Sequence, residues 1–241
     1  ASSGPGIALK GEAIGLAVIT ELPLVILNIQ RGGPSTGLPT KTEQSDLFQA
    51  MYGRNGECPC VVIAASSPSD CFDTAIIASK IALEHMMPVI LLSDGYIANG
   101  SEPWLIPDVD KIPSIKTNFV KSNSDNFNPY QHDDKTLARS WAIPGTKGLE
   151  HRIGGLEKEN ISGNVSYDPD NHHEMTLQRQ KKVDIISNFI PSAEIFGKES
   201  GELLVLSWGG VYGSVKSAVK KSQEKEMSVS GGASFNFLYL I

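Results

Sequence analysis

The chain has 241 residues, of which 40% are hydrophobic and 20% charged, and its formal net charge at pH 7 is −6. This composition is typical of a soluble globular protein with one large domain or two small ones, and an acidic balance without a basic stripe argues against nucleic-acid binding. No apolar run approaches the roughly 20 residues that span a bilayer, so we expect no association with a membrane. Three cysteines, an odd number, do not make a disulfide framework, which favours a cytoplasmic location.

The first predicted elements are a glycine-rich turn at residues 2–6, a helix from Leu9 to Glu21 and a short apolar strand from Leu24 to Asn28. Gly11 and Gly15 lie four residues apart, which would let this helix pack closely against another element. A glycine-rich turn at the start of a helix can bind an anion, but such turns also serve plain strand-to-helix connections. Both interpretations stay open at this point.

The strand runs directly into the segment Ile29–Thr42, whose sequence is IQRGGPSTGLPTKT. A loop that follows a parallel strand lies at the carboxyl edge of the sheet, where open α/β sheets bind their ligands. Arg31 offers a fork of donors that matches a carboxylate or a phosphate. The hydroxyl donors of the loop are Ser35, Thr36, Thr40 and Thr42. The segment therefore predicts an anion-binding loop, and the alternative is a surface turn with a solvated arginine.

Apolar runs and amphipathic segments alternate after this loop. A helix, a strand, a helix and a strand are predicted, in that order, at residues 42–52, 60–65, 66–86 and 88–92. Helices and strands that alternate at this spacing indicate right-handed crossovers and a parallel sheet. The predicted fold class is therefore α/β.

Two groups of residues have side chains that metals bind. Cys58, Cys60 and Cys71 match neither a zinc pair nor an iron–sulfur run in their spacing, and a free cysteine is commonly a small buried hydrophobe. The second group is Glu150, His151, His172, His173 and Glu174. Adjacent histidines cannot both face inward from one helical turn, which favours solvated positions at the start of a helix. We therefore predict no metal site.

The segment 101–171 is rich in proline, asparagine, aspartate, serine and glycine and has little apolar periodicity, which is typical of a linker or of functional loops. Beyond it we predict a helix over 175–189, a buried strand over 203–207 and a helix over 214–224. The first of these helices should turn Leu177, Val183, Ile185, Ile186 and Phe189 inward. Arg179 to Lys182 should form one solvated face of the same helix.

These elements divide the chain into three parts. Residues 1–104 form the first domain, residues 105–171 a linker and irregular region, and residues 172–241 the start of a second domain. Gly209, Gly210 and Gly213 approximate a dinucleotide fingerprint but do not have its spacing, so no nucleotide site is predicted there. The last residues, 235–241, are apolar, and we expect the sequence to be a piece of a longer protein.

Four segments together resemble one known family: SGPG at 3–6, TELP at 20–23, QRGGPSTGLPTKT at 30–42 and PVILLSD at 88–94. They are similar to the α subunit of the 2-oxoacid:ferredoxin oxidoreductases, most closely to the 2-oxoglutarate type. GLEH at 148–151 and SWGG at 207–210 are similar to later landmarks of the same subunit. The likeness covers nearly the whole chain, and its longest motif is highly specific.

The resemblance implies the C-terminal part of a pyrimidine-side thiamine-diphosphate-binding domain with a parallel sheet, followed by the start of a transketolase C-terminal-like α/β domain. It implies a subunit of an enzyme that oxidatively decarboxylates a 2-oxoacid to an acyl-coenzyme A and passes the electrons to ferredoxin. Thiamine diphosphate would be shared with a β subunit, which in that family also carries Mg²⁺ and a [4Fe–4S] cluster. The chain would be inactive without this partner.

The same motifs imply site residues. By their positions in the motifs, Arg31 and Thr40 are expected to bind the 2-oxoacid, and Ser2, Ser3 and Gly4 are expected to lie near the pyrimidine of the cofactor. No catalytic residue is expected within the chain, because the family's pyrimidine-activating glutamate would precede its first residue.

Some features leave alternatives open. After Glu150–His151 the family usually carries Asp-Glu, whereas this chain has Arg152–Ile153, which argues against an acidic role for this loop. Pyruvate or a branched-chain 2-oxoacid is the alternative substrate. A non-catalytic scaffold or a phosphate-binding module, in which the glycine-rich loops are purely structural, is the alternative class of protein.

Overall fold

A computed structural model describes residues 1–117, 119–122, 127–190, 195–197, 200–234 and 237–238. The strands are β1 (Leu24–Gln30), β2 (Val61–Ala64), β3 (Pro88–Asp94), β4 (Phe119–Val120), β5 (Trp141–Ala142), β6 (Leu203–Ser207), β7 (Val229–Ser234) and β8 (Phe237–Leu238). The α-helices are α1 (Gly4–Ala8), α2 (Gly11–Thr20), α3 (Leu47–Tyr52), α4 (Asp70–His85), α5 (Gly95–Asn99), α6 (Pro169–Ile186) and α7 (Tyr212–Gln223). No helix in the described ranges has the length and apolarity needed to cross a membrane.

The central sheet has four strands in the order β1-β3-β2-β8. β3 runs parallel to β1 on one side and to β2 on the other, while β8 is antiparallel to β2. Every residue of β3 is buried, as expected for the middle strand of a parallel sheet whose sequence is a continuous apolar run. The predicted α/β fold with a parallel sheet is confirmed.

Alternate residues of the strands point to the two faces of this sheet, and each face has its own apolar core. On one face, α4 and α6 cover the strands, and this core contains Val61, Ile63, Ala78, Ile81, Ala82, Met87, Val89, Leu91, Val183 and Ile186. On the other face, α3 covers them, and this core contains Ala50, Val62, Ala64, Ile90 and Leu92. Burial of these side chains is the main source of stability for such a domain.

Residue 2 extends the sheet beyond β1. The amide of Ser2 donates to the carbonyl of Leu27 at 2.9 Å, and the amide of Ile29 donates to the carbonyl of Ser2 at 2.7 Å. The start of α1 therefore lies at the carboxyl end of β1. The predicted close packing at Gly15 is wrong, because the space around this glycine is open.

The predicted helix over 42–52 begins five residues late, at Leu47. Asp46 directly precedes the helix, but its side chain makes no capping hydrogen bond. Instead this side chain and the backbone amide of the same residue are held by the side chains of Asn28 and Gln30 on β1. Tertiary contacts with the sheet therefore override the local helix signal of residues 42–46.

The region from 101 to 168 has little regular structure: apart from one 3₁₀ turn, its described part contains only the two-residue strands β4 and β5 and isolated bridges. It is nevertheless anchored, because the ring of Tyr130 is completely buried and its hydroxyl donates to the carbonyl of Thr20 at 3.4 Å. The division of the chain at residues 104 and 171 stays a prediction.

Two predictions about α6 are wrong. Val183 and Ile186 do enter the core, but Leu177 is 55% exposed and Phe189, in the 3₁₀ turn that follows, is 65% exposed. The segment from Arg179 to Lys182 is not one solvated face, because both end residues are buried and form ion pairs with distant glutamates.

The strand predicted at 203–207 is present as β6, but it is not buried. β6 pairs with β7 in a separate two-stranded parallel sheet. Its leucines are largely exposed, namely Leu203, Leu204 and Leu206. Residues 235–236 and 239–241 of the predicted apolar end lie outside the described residues.

Candidate functional site

The carboxyl edge of the central sheet is where β1 ends at Gln30 and β3 ends at Asp94, opposite each other in register. Arg31 follows β1 at this edge and is half-buried. Its Nε is inaccessible to solvent and has no hydrogen-bond partner in the described structure. A buried donor without a partner is costly, and a carboxylate or phosphate is the acceptor that a guanidinium suits best.

The loop after Arg31 closes on itself. The amide of Gly32 donates to the carbonyl of Lys41 at 2.8 Å, and the amide of Leu38 donates back to the carbonyl of Gly32 at 2.9 Å. The carboxylate of Glu43 accepts from the amide of Gly33 at 2.9 Å. This closure returns Thr40, which is exposed, to the base of the loop, one residue before the Lys41 carbonyl that contacts Gly32. The two predicted substrate residues therefore lie on adjoining stretches of backbone.

Gly37 makes this closure possible. Its φ is +45°, and a Cβ at this position would lie 2.4 Å from the carbonyl oxygen of Gly32 and 2.8 Å from the Gly33 backbone. Only glycine accepts both that backbone conformation and that proximity. The closed form of the loop therefore requires glycine at position 37.

The predicted cofactor residues lie beside the same edge. Ser2 pairs with β1 through its backbone, Ser3 precedes α1 and is half-buried, and Gly4 is buried. A Cβ on Gly4 would lie 2.6 Å from a carboxylate oxygen of Asp46. The turn that carries these residues is thus packed against the segment that follows the Arg31 loop.

Sequence reasoning missed a polar network under these loops. Asn28 and Gln30, both fully buried, point the same way from β1. Asn28 donates to the carboxylate of Asp46 at 3.1 Å, and Gln30 accepts from the Asp46 amide at 3.0 Å while donating to the carbonyl of Ser93 at 3.1 Å. The Oδ1 atom of Asn28 is buried without a partner in the described structure. The detectable signal was two polar residues at alternate positions in an otherwise apolar strand.

A more distant segment also reaches this edge. The side chain of Gln44 donates to the carbonyl of Trp208 at 3.1 Å. Gly210 packs so closely on Asp94 that a Cβ would lie 2.4 Å from its Oδ2. Asp94 itself caps α5 by accepting from the amides of Tyr96 and Ile97 at 2.7 and 3.0 Å. The SWGG motif and the PVILLSD strand therefore meet beside the Arg31 loop.

The GLEH motif makes local contacts. Glu150 accepts from the Gly148 amide at 2.8 Å, and the ring Nδ1 of His151 lies 2.8 Å from the carbonyl of Leu149. Within the described ranges, no three histidine, cysteine or acidic side chains are grouped as metal ligands.

A second buried network, also missed from the sequence, joins the end of α2 to the irregular region and to α6. Glu21 forms an ion pair with the ammonium of Lys182, and its carboxylate lies 3.0 Å from the Nε2 of His132. Burial alone would raise the pKa of Glu21, but Lys182 and His132 together lower it to about 2. Burial lowers the pKa of Lys182 against the attraction of its glutamate partner. Arg139 donates to the carbonyls of Thr20 and Glu21 at 2.9 and 3.2 Å.

A further ion pair joins α6 to the preceding loops. Arg179 donates from both terminal nitrogens to Glu157 at 3.0 and 2.9 Å, and His172 lies 2.7 Å from the same carboxylate. Despite partial burial, which acts in the opposite direction, Arg179 holds the pKa of Glu157 below its ordinary value. Paired buried charges of this kind hold the loops in one arrangement and are strongly destabilising when one partner is removed.

Comparison with known families defines the class of this protein. Residues 1–167 match the family described as "Pyruvate flavodoxin/ferredoxin oxidoreductase, thiamine diP-bdg". The chain belongs to this family, and the parallel sheet described above agrees with a thiamine-diphosphate-binding domain.

Among curated proteins, the chain is 56% identical over 230 residues to 2-oxoglutarate oxidoreductase subunit KorA of Mycobacterium tuberculosis, which covers 95% of this chain and 35% of that protein. It is 33% identical to 2-oxoglutarate synthase subunit KorA of Methanothermobacter thermautotrophicus, over 93% of this chain and 58% of that protein. The chain therefore spans between about a third and three fifths of the length of these relatives.

Among solved structures, the chain resembles a 2-oxoglutarate:ferredoxin oxidoreductase from Magnetococcus marinus with 2-oxoglutarate, coenzyme A and succinyl-CoA bound. The TM-score is 0.89 and the sequence identity 31%, and the match covers 100% of this chain and 41% of that one. The described residues thus share the fold of the corresponding part of that chain.

Proposed function

We propose that this chain belongs to the α subunit of a 2-oxoglutarate:ferredoxin oxidoreductase. The reaction is the oxidative decarboxylation of the 2-oxoacid to its acyl-coenzyme A, with the electrons passed to ferredoxin. The observation that carries the proposal is the 56% identity with a 2-oxoglutarate oxidoreductase subunit over nearly the whole chain. The partner is a β subunit that holds Mg²⁺ and a [4Fe–4S] cluster, and the complex works in the cytoplasm.

Arg31 is the residue we assign to the carboxylate of the substrate. Its guanidinium is positioned at the carboxyl edge of the sheet, and its buried Nε lacks a partner in the described structure. A bidentate carboxylate would supply that partner and would be held in a fixed orientation. Thr40, exposed at the base of the same loop, adds a neutral donor. Holding the carboxylate also orients the keto carbon toward the cofactor.

Ser2, Ser3 and Gly4 are the residues we assign to the cofactor. The fit is supported by the buried Gly4 backbone and by the unpartnered Oδ1 of Asn28 at the same edge of the sheet. Thiamine diphosphate supplies, when bound, the carbon nucleophile and electron sink that decarboxylation of a 2-oxoacid requires. The chain's own contribution is to bind, orient and keep water away from the reacting groups.

The test uses the full-length parent chain co-expressed with its partner subunit under anaerobic conditions. Viologen reduction is recorded with 2-oxoglutarate, pyruvate and 2-oxoisovalerate, each with coenzyme A and thiamine diphosphate. We expect a strong preference for 2-oxoglutarate. A preference for another 2-oxoacid would overturn the substrate assignment alone. No reduction with any acid, from a complex that holds cofactor and cluster, would overturn the enzymatic function and leave a scaffold.

A further inference from the structure

Two thiols lie at the opposite edge of the sheet from the Arg31 loop. Cys58 and Cys60 immediately precede β2, which begins at Val61, and both are half-buried. Because β1 and β2 run in the same direction, the amino end of β2 is at the far edge from the carboxyl end of β1. Both cysteines are free and line a cavity of about 400 Å³.

Arg54 fixes a positive charge beside Cys58. Its Nη1 donates to the carbonyl of Ala50 at 2.6 Å, and its Nη2 donates to the carbonyls of Met51 and Cys58 at 2.8 and 2.9 Å. The guanidinium is therefore held at the C-terminal end of α3 and bonded to the backbone of Cys58. It lines the same cavity, whose opposite wall is α6 with Gln180 and Asp184.

The two thiols differ in their chemistry. A hydrogen bond from Cys60, together with the charge of Arg54, lowers the pKa of Cys58 to about 6. The pKa of Cys60 is raised by the same hydrogen bond and by burial, so Cys60 stays the protonated donor. Burial and the neighbouring Asp70 raise the pKa of Cys71. Glu57 and Asp184 also line the cavity, and Arg179 adds a favourable charge.

We propose that Cys58 is a thiol-modification site at which low-molecular-weight disulfides form a mixed disulfide, with Cys60 as its positioning residue. The Cys58 thiolate attacks one sulfur of the disulfide, the bond between the two ligand sulfurs breaks, and one ligand half leaves as a thiolate that takes a proton from water. The other half stays bonded to Cys58. No further oxidant is needed, because the incoming disulfide is itself reduced.

The expected labelling rate of Cys58 follows from the ionised fraction of its thiol and from the nucleophilicity of the thiolate. At pH 6 a thiol of pKa about 6 is half ionised, whereas an ordinary thiol is ionised to well under 1%. The intrinsic nucleophilicity of a thiolate falls with its pKa, which removes part of this gain. The net expectation is that Cys58 reacts about tenfold faster than an ordinary exposed thiol at pH 6.

The experiment treats the full-length chain, in its assembled complex, with the neutral probe bis(2-hydroxyethyl) disulfide, which does not titrate, at a series of pH values from 5 to 9. The three cysteines fall in one tryptic peptide, residues 55–80, and fragment ions between them assign each adduct. We expect Cys58 to be labelled first and its rate to level off above about pH 6. Cys58→Ser should remove this fast phase, and Cys71→Ala should leave it unchanged.

The positioning role of Cys60 is tested separately, by the rate and the pH midpoint of Cys58 labelling in Cys60 variants. Cys60→Ala should slow labelling of Cys58 at pH 6 about twofold or more and move the midpoint of the rate profile up by about one pH unit or more, because the hydrogen bond is lost. Cys60→Ser keeps a donor and should restore most of the rate. Equal rates at Cys58 and Cys71, or a Cys58 profile with an ordinary midpoint near 8.5, would overturn the proposal. A Cys58 rate profile in Cys60→Ala that is unchanged from that of the parent protein would overturn the assigned role of Cys60.

Discussion

The side-chain amide of Asn28, two residues before the carboxyl end of β1, donates to the carboxylate of Asp46 at 3.1 Å. This bond joins β1, which precedes the Arg31 loop, to Asp46, which follows the loop and directly precedes α3. Both ends of the loop are therefore fixed. Gln30 adds a second link through the Asp46 backbone. The loop is therefore held in place by the sheet itself rather than by its own contacts alone.

Replacing Asn28 with aspartate should destabilise the protein. The change removes the donor and places a carboxylate against Asp46 in a fully buried position, which should cost about 1 to 3 kcal/mol. The loss should grow as the pH rises, because the new carboxyl group is forced to ionise beside a like charge. Urea unfolding at pH 5 and pH 8 measures this. Asn164→Asp, at an exposed position, is the control. Equal stability of Asn28→Asp and the parent protein at pH 8 would contradict this account.

Gly37→Ala should open the Arg31 loop. Its Cβ would collide with the Gly32 carbonyl, so the closure that returns Thr40 to Arg31 cannot form. We expect the KM for the 2-oxoacid to rise about tenfold or more, a loss of at least about 1.4 kcal/mol in binding.

Gly56→Ala is the matched control for this loop variant. Gly56 also has a positive φ, +66°, but a Cβ there meets nothing within 4 Å. It should lose about 1 kcal/mol of stability from backbone strain and keep its KM within a factor of two. If both variants changed KM equally, the close contact at Gly37 would have no role in the loop.

The pair of Glu21 and Lys182 should show strong coupling. Lys182→Met leaves a buried carboxylate without its main partner, and we expect a loss of about 3 to 5 kcal/mol in the free energy of unfolding. The double variant Glu21→Gln/Lys182→Met should lose less of the free energy of unfolding than Lys182→Met alone. Lys181→Met, exposed one residue away, should change stability by less than about 0.5 kcal/mol. Additive losses in a double-mutant cycle would show that the two side chains do not interact.

Acid should destabilise the protein partly through Glu21. The pKa of this group falls from 4.5 in the unfolded chain to about 2 in the folded protein, so the unfolded state binds the proton first as the pH is lowered. Its contribution, about 3 kcal/mol, is fully present above pH 4.5 and is lost as the pH falls toward 2. The free energy of unfolding, measured by denaturation at a series of pH values from 7 to 3, should fall less in Glu21→Gln than in the parent protein. Parallel curves would contradict this assignment.

The strands of the sheet and the Arg31 loop could be predicted because the signal for each is local in sequence. A continuous apolar run such as PVILLSD is typical of a buried parallel strand, and glycine and proline mark the loop that follows β1. The two buried networks could not be predicted in this way. Glu21 and Lys182 are 161 residues apart in the sequence, and only the folded structure brings them together. The solvated face predicted for Arg179 to Lys182 was wrong for the same reason.

Other differences come from tertiary contacts that override local patterns. The leucines of β6 have the apolar pattern of a buried strand, yet β7 is the one strand that pairs with β6 in the described ranges, and the leucines stay exposed. The helix predicted to start at Thr42 starts at Leu47 instead, because side chains of β1 hold Asp46 by hydrogen bonds. At the candidate site, the arginine loop was predictable, whereas the supporting residues Asn28 and Gln30 required the structure.

The most direct test of the central claim measures kcat/KM for 2-oxoglutarate in the assembled complex carrying Arg31→Ala, beside Lys41→Ala. Lys41 is an exposed cation in the same loop and controls for general electrostatic attraction. If Arg31 holds the substrate carboxylate, its loss should cost roughly 2–5 kcal/mol, a drop of at least about 30-fold, while Lys41→Ala stays within threefold. Unchanged turnover in Arg31→Ala, with cofactor and cluster in place, would contradict the assignment.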